Sequence, residues 1–379
     1  VTTNETERIE RGAAPLFSPI QLGEMELKNR IAMAPMTRSR ASWNGGPTEI
    51  MSTYYDQRAT AGLIISEGVS ISKHAQGFTK VPGVYTKQHV DGWRRITDQV
   101  HKSGSRFVMQ LWHVGRISHP DNMAYGAYPV APSAIAYDRK VVTPSGMQQV
   151  PLPIALTREE IWSTIVDYAQ AAANAIAAGC DGIEIHGANG YLPAQFLHES
   201  TNQRDDEWGG SIEKRARFLL EVTKACIEKI GEKKVGVRLS PFSVFNGATS
   251  ADEKAAYGYL INALSQLDLL YLHVVTANVA GPKSISHKEG TEVPDVVGFC
   301  RSLWNGRLVA AGEYTRESGN SDLASGRADI IAFGRDFIAN PDLPLRLLRG
   351  LPLAERRPSD WYGPDEKGYI DYPTWHETK

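Results

Sequence analysis

The sequence predicts an α/β fold, a closed (β/α)8 TIM barrel, on three observations. Eight short apolar runs recur along the chain, at 30–35, 63–67, 106–111, 182–185, 235–239, 269–275, 308–311 and 329–333. Most neighbouring runs are separated by an amphipathic stretch of helical period, at 48–61, 89–103, 158–178, 212–230, 251–267 and 316–325. Buried strands alternating with helices form parallel sheets, and eight such units within 379 residues favour closure over an open sheet. One domain is therefore expected over 1–379, with its core at about 16–350.

Composition narrows the partner. Hydrophobic residues make up 42% and charged residues 22% of the chain, and the net charge is -2 with no block of like sign. No nucleic-acid footprint or anionic-membrane surface is indicated, so a small molecule is the expected partner. Cys180, Cys226 and Cys300 stand far apart, without zinc spacing or a redox pair, and no metal site is expected. Scattered thiols, a polar 1–12 segment and no membrane-spanning apolar run point to a cytoplasmic protein; monomer or dimer is left open.

The elements follow in order. The first strand runs into Pro35, Met36 and Thr37, the second into Glu67 and Gly68, and the third carries Gln110 and ends at Trp112 and His113. The 114–156 segment breaks the alternation and is rich in Pro and Ser. It is expected to be a long excursion over the barrel mouth with a short hairpin, since loops of that length are usually lids or walls. Thr157 with Glu160, and Ser250 with Glu253, have capping-box spacing. The tail, 351–379, reads as an ordered wrap, with Pro364 among its turn-forming residues.

Chemistry concentrates after the fourth strand, where His186, Asn189 and Tyr191 fall within a turn punctuated by Gly187 and Gly190. Active sites of such barrels lie at the C-terminal ends of the strands. There His186 and Asn189 can each donate a hydrogen bond to one substrate oxygen, and Tyr191 carries a phenolic proton. The plainer reading is a satisfied buried histidine and a turn built for backbone reasons. Gly312 and Gly334-Arg335 follow the last two strands, where barrels often hold phosphate. Arg238 faces inward at the end of the fifth strand, either to neutralise an anionic ring or to pair with Glu184. Gln110 suits a flat heterocycle or a satisfied core amide. There is no Gly-x-Gly-x-x-Gly and no Walker loop. The expected ligand is a mononucleotide cofactor or a sugar phosphate.

Longer motifs then accumulate: NRIAMAPMTR at 29–38, QLWHVGR at 110–116, HGANGYL at 186–192, GGS at 209–211, AFGR at 332–335, FIANPDLP at 337–344 and GYIDYP at 368–373. With these the chain resembles the Old Yellow Enzyme family of flavin-dependent ene-reductases from about Leu16 to Trp375. The resemblance implies tightly but noncovalently bound FMN and an NAD(P)H reductant, NADPH being preferred. Pro35, Met36, Thr37 and Gly68 would line the flavin and Gln110 would bond its pyrimidine edge. Arg238 would sit near N1 and O2, and Gly312, Gly334 and Arg335 would hold the phosphate. Phe78, Trp112, Phe245 and Tyr362 would wall the substrate. The implied reaction is ping-pong reduction of α,β-unsaturated carbonyl compounds, with quinones, nitro compounds or prostaglandin endoperoxide as further acceptors. Trp208 departs from the family pattern before GGS, and Glu313 places an acid beside the phosphate residues, where its side chain would have to point outward. A rival aldolase or isomerase would need a strand-end base such as Glu67, and a second rival would only carry a carbonyl ligand.

Overall fold

The computed structural model describes residues 14–123, 126–276, 294–363 and 365–376. The expected polar segment at 1–12 and Pro364 lie outside them. Eight strands, β1 Ile31–Met33, β2 Leu63–Ile65, β3 Arg106–Trp112, β4 Gly182–His186, β5 Val235–Leu239, β6 Tyr271–Val275, β7 Leu308–Ala311 and β8 Ile330–Phe333, pair in chain order, all parallel. The circle closes where β8 meets β1, with Ile331 opposite Ile31. The helices that cover it are α1 Glu49–Gln57, α2 Lys87–Lys102, α3 Arg158–Ala177, α4 Ile212–Ile230, α5 Glu253–Leu264, α6 Val296–Leu303, α7 Arg316–Ala324 and α8 Leu343–Arg349. The (β/α)8 barrel is thus as the alternation of apolar runs and amphipathic stretches predicts.

Side-chain alternation explains both faces of the sheet. Ile31, Met33, Ile183, Ile185, Val237 and Phe333 belong to the core shared with the helices. Ala32, Leu63, Ile65, Val108, Val309 and Ile330 belong to a second cluster inside the barrel. Its lower end is closed by a hairpin of Ile20–Leu22 with Met25–Leu27, whose apolar residues join that cluster. Alternation on either side of Gly23, at φ +57°, was the available signal for this hairpin. Higher in the barrel the interior turns polar, with Gln110, Glu184, Arg238 and His273 all buried.

Of the two expected capping boxes, one forms. Thr157 accepts from the Glu160 N–H, and the Glu160 carboxylate accepts from the Thr157 N–H at 2.8 Å. The Ser250 box does not, because α5 starts at Glu253 with Asp252 as its cap. Ser250 Oγ instead accepts from Glu199 N and Arg215 Nη1, and the Glu253 carboxylate accepts from Phe242 N at 2.7 Å. Within the excursion, Val130–Ala131 pairs with Ile154–Ala155, and Lys140–Thr143 with Gly146–Gln149 form a hairpin.

The C-terminal segment is tied down by three buried arginines that sequence reasoning left unassigned. Arg38 donates to the carbonyls of Trp361 at 3.1 Å and Gly368 at 2.6 Å. Arg40 donates to those of Trp361, Lys367, Asp360 and Asp365. Arg58 reaches Phe337, Ile338 and Tyr369 in the same way. Between them Tyr54 and Tyr369 stack with centroids 4.1 Å apart. Burial pulls Arg58 down to about 10, and pushes Glu67, which accepts from Arg38 N and Tyr55 Oη, up to about 7.

Candidate active site

A cavity of about 470 Å³ opens at the C-terminal ends of the strands. Pro35, Met36 and Thr37 reach it after β1, Gly68 after β2, and Gln110 and Trp112 from β3. His186, Asn189 and Tyr191 reach it at the end of β4. Arg238 enters from β5, Gly312 from the end of β7, and Gly334 and Arg335 from that of β8. Phe78, Phe245 and Tyr362 complete its walls. Residues chosen from separate stretches of the chain therefore share one space. Ala34, Ala311 and Ala332 lie along the side formed by β7, β8 and β1, where their short side chains keep the cavity open.

The interior polar residues order one another. Glu184 accepts from Gln110 Nε2 at 2.7 Å, Tyr271 Oη at 3.0 Å and His273 Nδ1 at 2.8 Å. Burial alone would raise the Glu184 carboxyl, but His273, Arg238 and Gln110 more than offset it and hold it below its usual range. One N–H of the Gln110 amide goes to Glu184, which leaves its carbonyl oxygen and its second N–H for a ligand. Arg238 feels the charge of Glu184 without a hydrogen bond to it, and its Nε is buried and unpartnered. The pairing considered from sequence is therefore replaced by a guanidinium that faces the cavity. A buried cation without a hydrogen-bonded acceptor is costly unless a ligand supplies one.

On the neighbouring strand, where His186 pairs in register with Arg238, burial, with Arg238 and His273 adding to it, holds His186 well below its ordinary value, so the ring is neutral. His186 Nδ1 accepts from Ala188 N at 3.3 Å, which puts the remaining proton on Nε2 and makes it the donor. Asn189 adopts φ +57°, its N–H donates to Ser240 Oγ at 2.8 Å, and its Oδ1 has no partner within the protein. The Tyr191 ring stands edge-on to Trp112 at 5.0 Å and to His186 at 5.0 Å. Trp112 stacks on Phe78 at 5.4 Å. Two donors and a phenol can thus meet one flat ligand, with aromatic walls beside them.

Gly312 sits at φ +140°, and a Cβ there would collide with the Thr276 hydroxyl. At Gly68 a Cβ would collide with the Trp112 ring. The expected outward placement of Glu313 needs correction: its half-exposed carboxylate pairs with Arg335 Nη2 at 3.3 Å. Glu67, the base that an aldolase or isomerase would need, is buried against Arg38 and Tyr55 and takes no part in the cavity wall. Among the described residues, no group of three or more His, Cys, Asp or Glu is placed to hold a metal, and no helix is long and apolar enough to cross a membrane.

Several lining residues had escaped sequence reasoning. Arg139, Lys140, Val141, Val142 and Met147 bring the hairpin over the mouth, and Trp361 and Arg356 come from the C-terminal segment. The 114–156 segment thus lies over the barrel mouth with a short hairpin, as expected, and what the sequence did not single out is which of its side chains enter the wall.

Fold and site together define a (β/α)8-barrel enzyme site, with a buried cation on β5 beside a hydrogen-bonding clamp on the neighbouring β4, both opening into one cavity. Residues 15–354 match the NADH:flavin oxidoreductase / NADH oxidase family. The chain belongs to this family, and within it to the FMN-dependent Old Yellow Enzyme group. It is 41% identical over 371 residues to 12-oxophytodienoate reductase 1 of Oryza sativa subsp. japonica, covering 96% of this chain and 94% of that one. It is 43% identical over 366 residues to a chanoclavine-I aldehyde reductase of Penicillium roqueforti, covering 94% and 95%. Among solved structures, an old yellow enzyme homologue from Zymomonas mobilis superposes with a TM-score of 0.90 at 41% identity, covering 94% of this chain and 99% of the other. Morphinone reductase does so with a TM-score of 0.89 at 42% identity, covering 96% and 97%.

Proposed function

We propose that this enzyme takes reducing equivalents from NADPH in preference to NADH and reduces α,β-unsaturated carbonyl compounds, with quinones and nitro compounds as further acceptors. The observation that carries the reading is the convergence of His186, Asn189 and Tyr191 on one cavity beside Arg238, whose buried Nε has no hydrogen-bond partner. The named substrates of two relatives, 12-oxophytodienoate and chanoclavine-I aldehyde, are carbonyl compounds and support it.

The donor set suits FMN. Arg238 would offer a positive charge to the ring, Gln110 its amide, and Pro35, Met36, Thr37 and Gly68 would line the ring. Gly312, Gly334 and Arg335 would hold the phosphate, with Arg335 turning from Glu313 towards it. When bound, FMN supplies the centre that receives hydride from the nicotinamide and passes it to the acceptor. The protein does the rest. His186 Nε2 and the Asn189 amide polarise the substrate oxygen, Tyr191 protonates the α-carbon, and Phe78, Trp112, Phe245 and Tyr362 confine the substrate.

Two measurements test this reading. Denaturation should release FMN, identified by mass, and Arg238→Met should lower flavin content or slow its reduction; normal occupancy with normal reduction would refute that role. Because one cavity serves both the reductant and the acceptor, steady-state plots should be parallel. Intersecting lines would require a second nucleotide site.

A further inference from the structure

The turn Phe245–Gly247 lies between the mouth hairpin and the turn that carries Asn189 and Tyr191. Asn246 is 2% exposed and adopts φ +62°. Its Oδ1 accepts from Arg139 Nη1, and its Nδ2 donates to the Asn189 carbonyl at 2.8 Å. This settles the amide orientation, since a flip would set N–H against guanidinium and oxygen against carbonyl. Asn189, whose carbonyl this amide holds, stands two residues before Tyr191 in the same turn.

Both flanks are packed tightly. Arg116 Nη2 donates to the carbonyls of Asn246 at 3.1 Å and Gly247 at 3.3 Å, with its guanidinium over the Tyr137 ring at 4.6 Å. The Arg139 guanidinium lies over the Phe245 ring at 5.1 Å. A Cβ at Gly190 would come within 2.7 Å of the Asn246 side chain, so the two turns are in contact. Val141 and Val150 of the hairpin segment share a cluster with Trp112 and Tyr191.

We propose that Asn246 and Arg139 are positioning residues that couple the mouth hairpin to the proton donor, Arg139 holding Asn246 and Asn246 holding, through the Asn189 carbonyl, the turn that presents Tyr191 to the substrate. The inference rests on Tyr191 as the donor. The amide N–H given to the Asn189 carbonyl fixes the turn from which Tyr191 enters the cavity wall. In the step itself the Tyr191 O–H bond breaks as a C–H bond forms at the substrate α-carbon, and the phenolate then takes a proton from solvent. Burial pushes the phenol up to about 12, while Arg139, Asn246 and Arg238 oppose that rise and Tyr362 adds to it. The Arg139 charge thus stabilises the phenolate that remains.

Asn246→Gly keeps the left-handed backbone and removes the amide. Arg139→Met removes the charge and keeps the stem, whereas Arg139→Lys keeps a charge and a donor. Pre-reduced holoenzyme is mixed with 2-cyclohexenone and, separately, with benzoquinone, in H2O and in D2O. The enone-to-quinone rate ratio should fall about tenfold in Asn246→Gly and Arg139→Met, the scale of one pKa unit at the donor, and should recover in Arg139→Lys. The solvent isotope effect on enone oxidation should rise as protonation becomes limiting. On a Tyr191→Phe background neither substitution should change the ratio by more than about twofold, since the coupled partner is gone. Amide hydrogen exchange over 140–149 should quicken in Asn246→Gly. An unchanged ratio in both variants, or an equal fall on the Tyr191→Phe background, overturns the coupling. If Tyr191→Phe alone leaves enone oxidation unaffected, the donor assignment falls and the coupling with it.

Discussion

Replacing Tyr191 by Phe should slow oxidation of the reduced enzyme by a cyclic enone about 10²–10⁴-fold, the range typical of a positioned general acid. The ring is held by Trp112 and His186 edge-on at 5.0 Å and by the hairpin cluster, so Phe preserves the packing. What is lost is one proton. Burial, acting against Arg139, Asn246 and Arg238, raises the phenol to about 12, so it stays protonated at neutral pH and is available in every turnover. Reduction by NADPH needs no such proton, and quinone oxygens can take theirs from water, so both should stay near normal. Stopped-flow recording of the two half-reactions separates these cases. Equal enone rates in the two enzymes would mean that the proton comes from another group.

The second large effect is expected from replacing His186 and Asn189 together by Ala. Loss of a single preorganised oxyanion donor typically costs about 10²–10³-fold in rate, and the pair aims at one oxygen, so enone oxidation should fall by at least that much. Binding reads the same geometry without turnover. A phenolate stacked over the oxidised flavin should give a long-wavelength charge-transfer band, and the double variant should lose it. Because burial holds His186 well below its ordinary value, the imidazole is a neutral donor at neutral pH and above. Phenolate affinity should therefore rise only with ionisation of the phenol itself between pH 6 and about 9. An unchanged titration in the double variant would place the clamp elsewhere.

The barrel was legible because its short buried strands are rich in Ile, Val and Leu and alternate with amphipathic stretches, a pattern that is local in sequence even where Glu184 or Arg238 interrupts it. The clamp was legible for a related reason: His186, Asn189 and Tyr191 lie within one turn. Arg238 could be placed facing inward by alternation, but whether it paired with Glu184 depended on where β3 and β6 brought Gln110 and His273. Sequence spacing alone holds no such information. The Ser250–Glu253 box failed for the same reason, since Glu199, Arg215 and Phe242, from three other segments, occupy both side chains. Asn246 and Arg139 gave no signal at all. Their importance lies in meeting each other, and only the folded chain makes that meeting visible.

Arg38, Arg40 and Arg58 each grip the C-terminal segment by its main-chain carbonyls. That separates the path of the strap from its composition. Tyr362, 54% exposed at the mouth, gives no side chain to this grip, so its identity can drift while the backbone stays put. The wall of the substrate chamber is then free to diversify at little cost to folding. New acceptors could be accommodated by changes at the rim of an otherwise unaltered barrel.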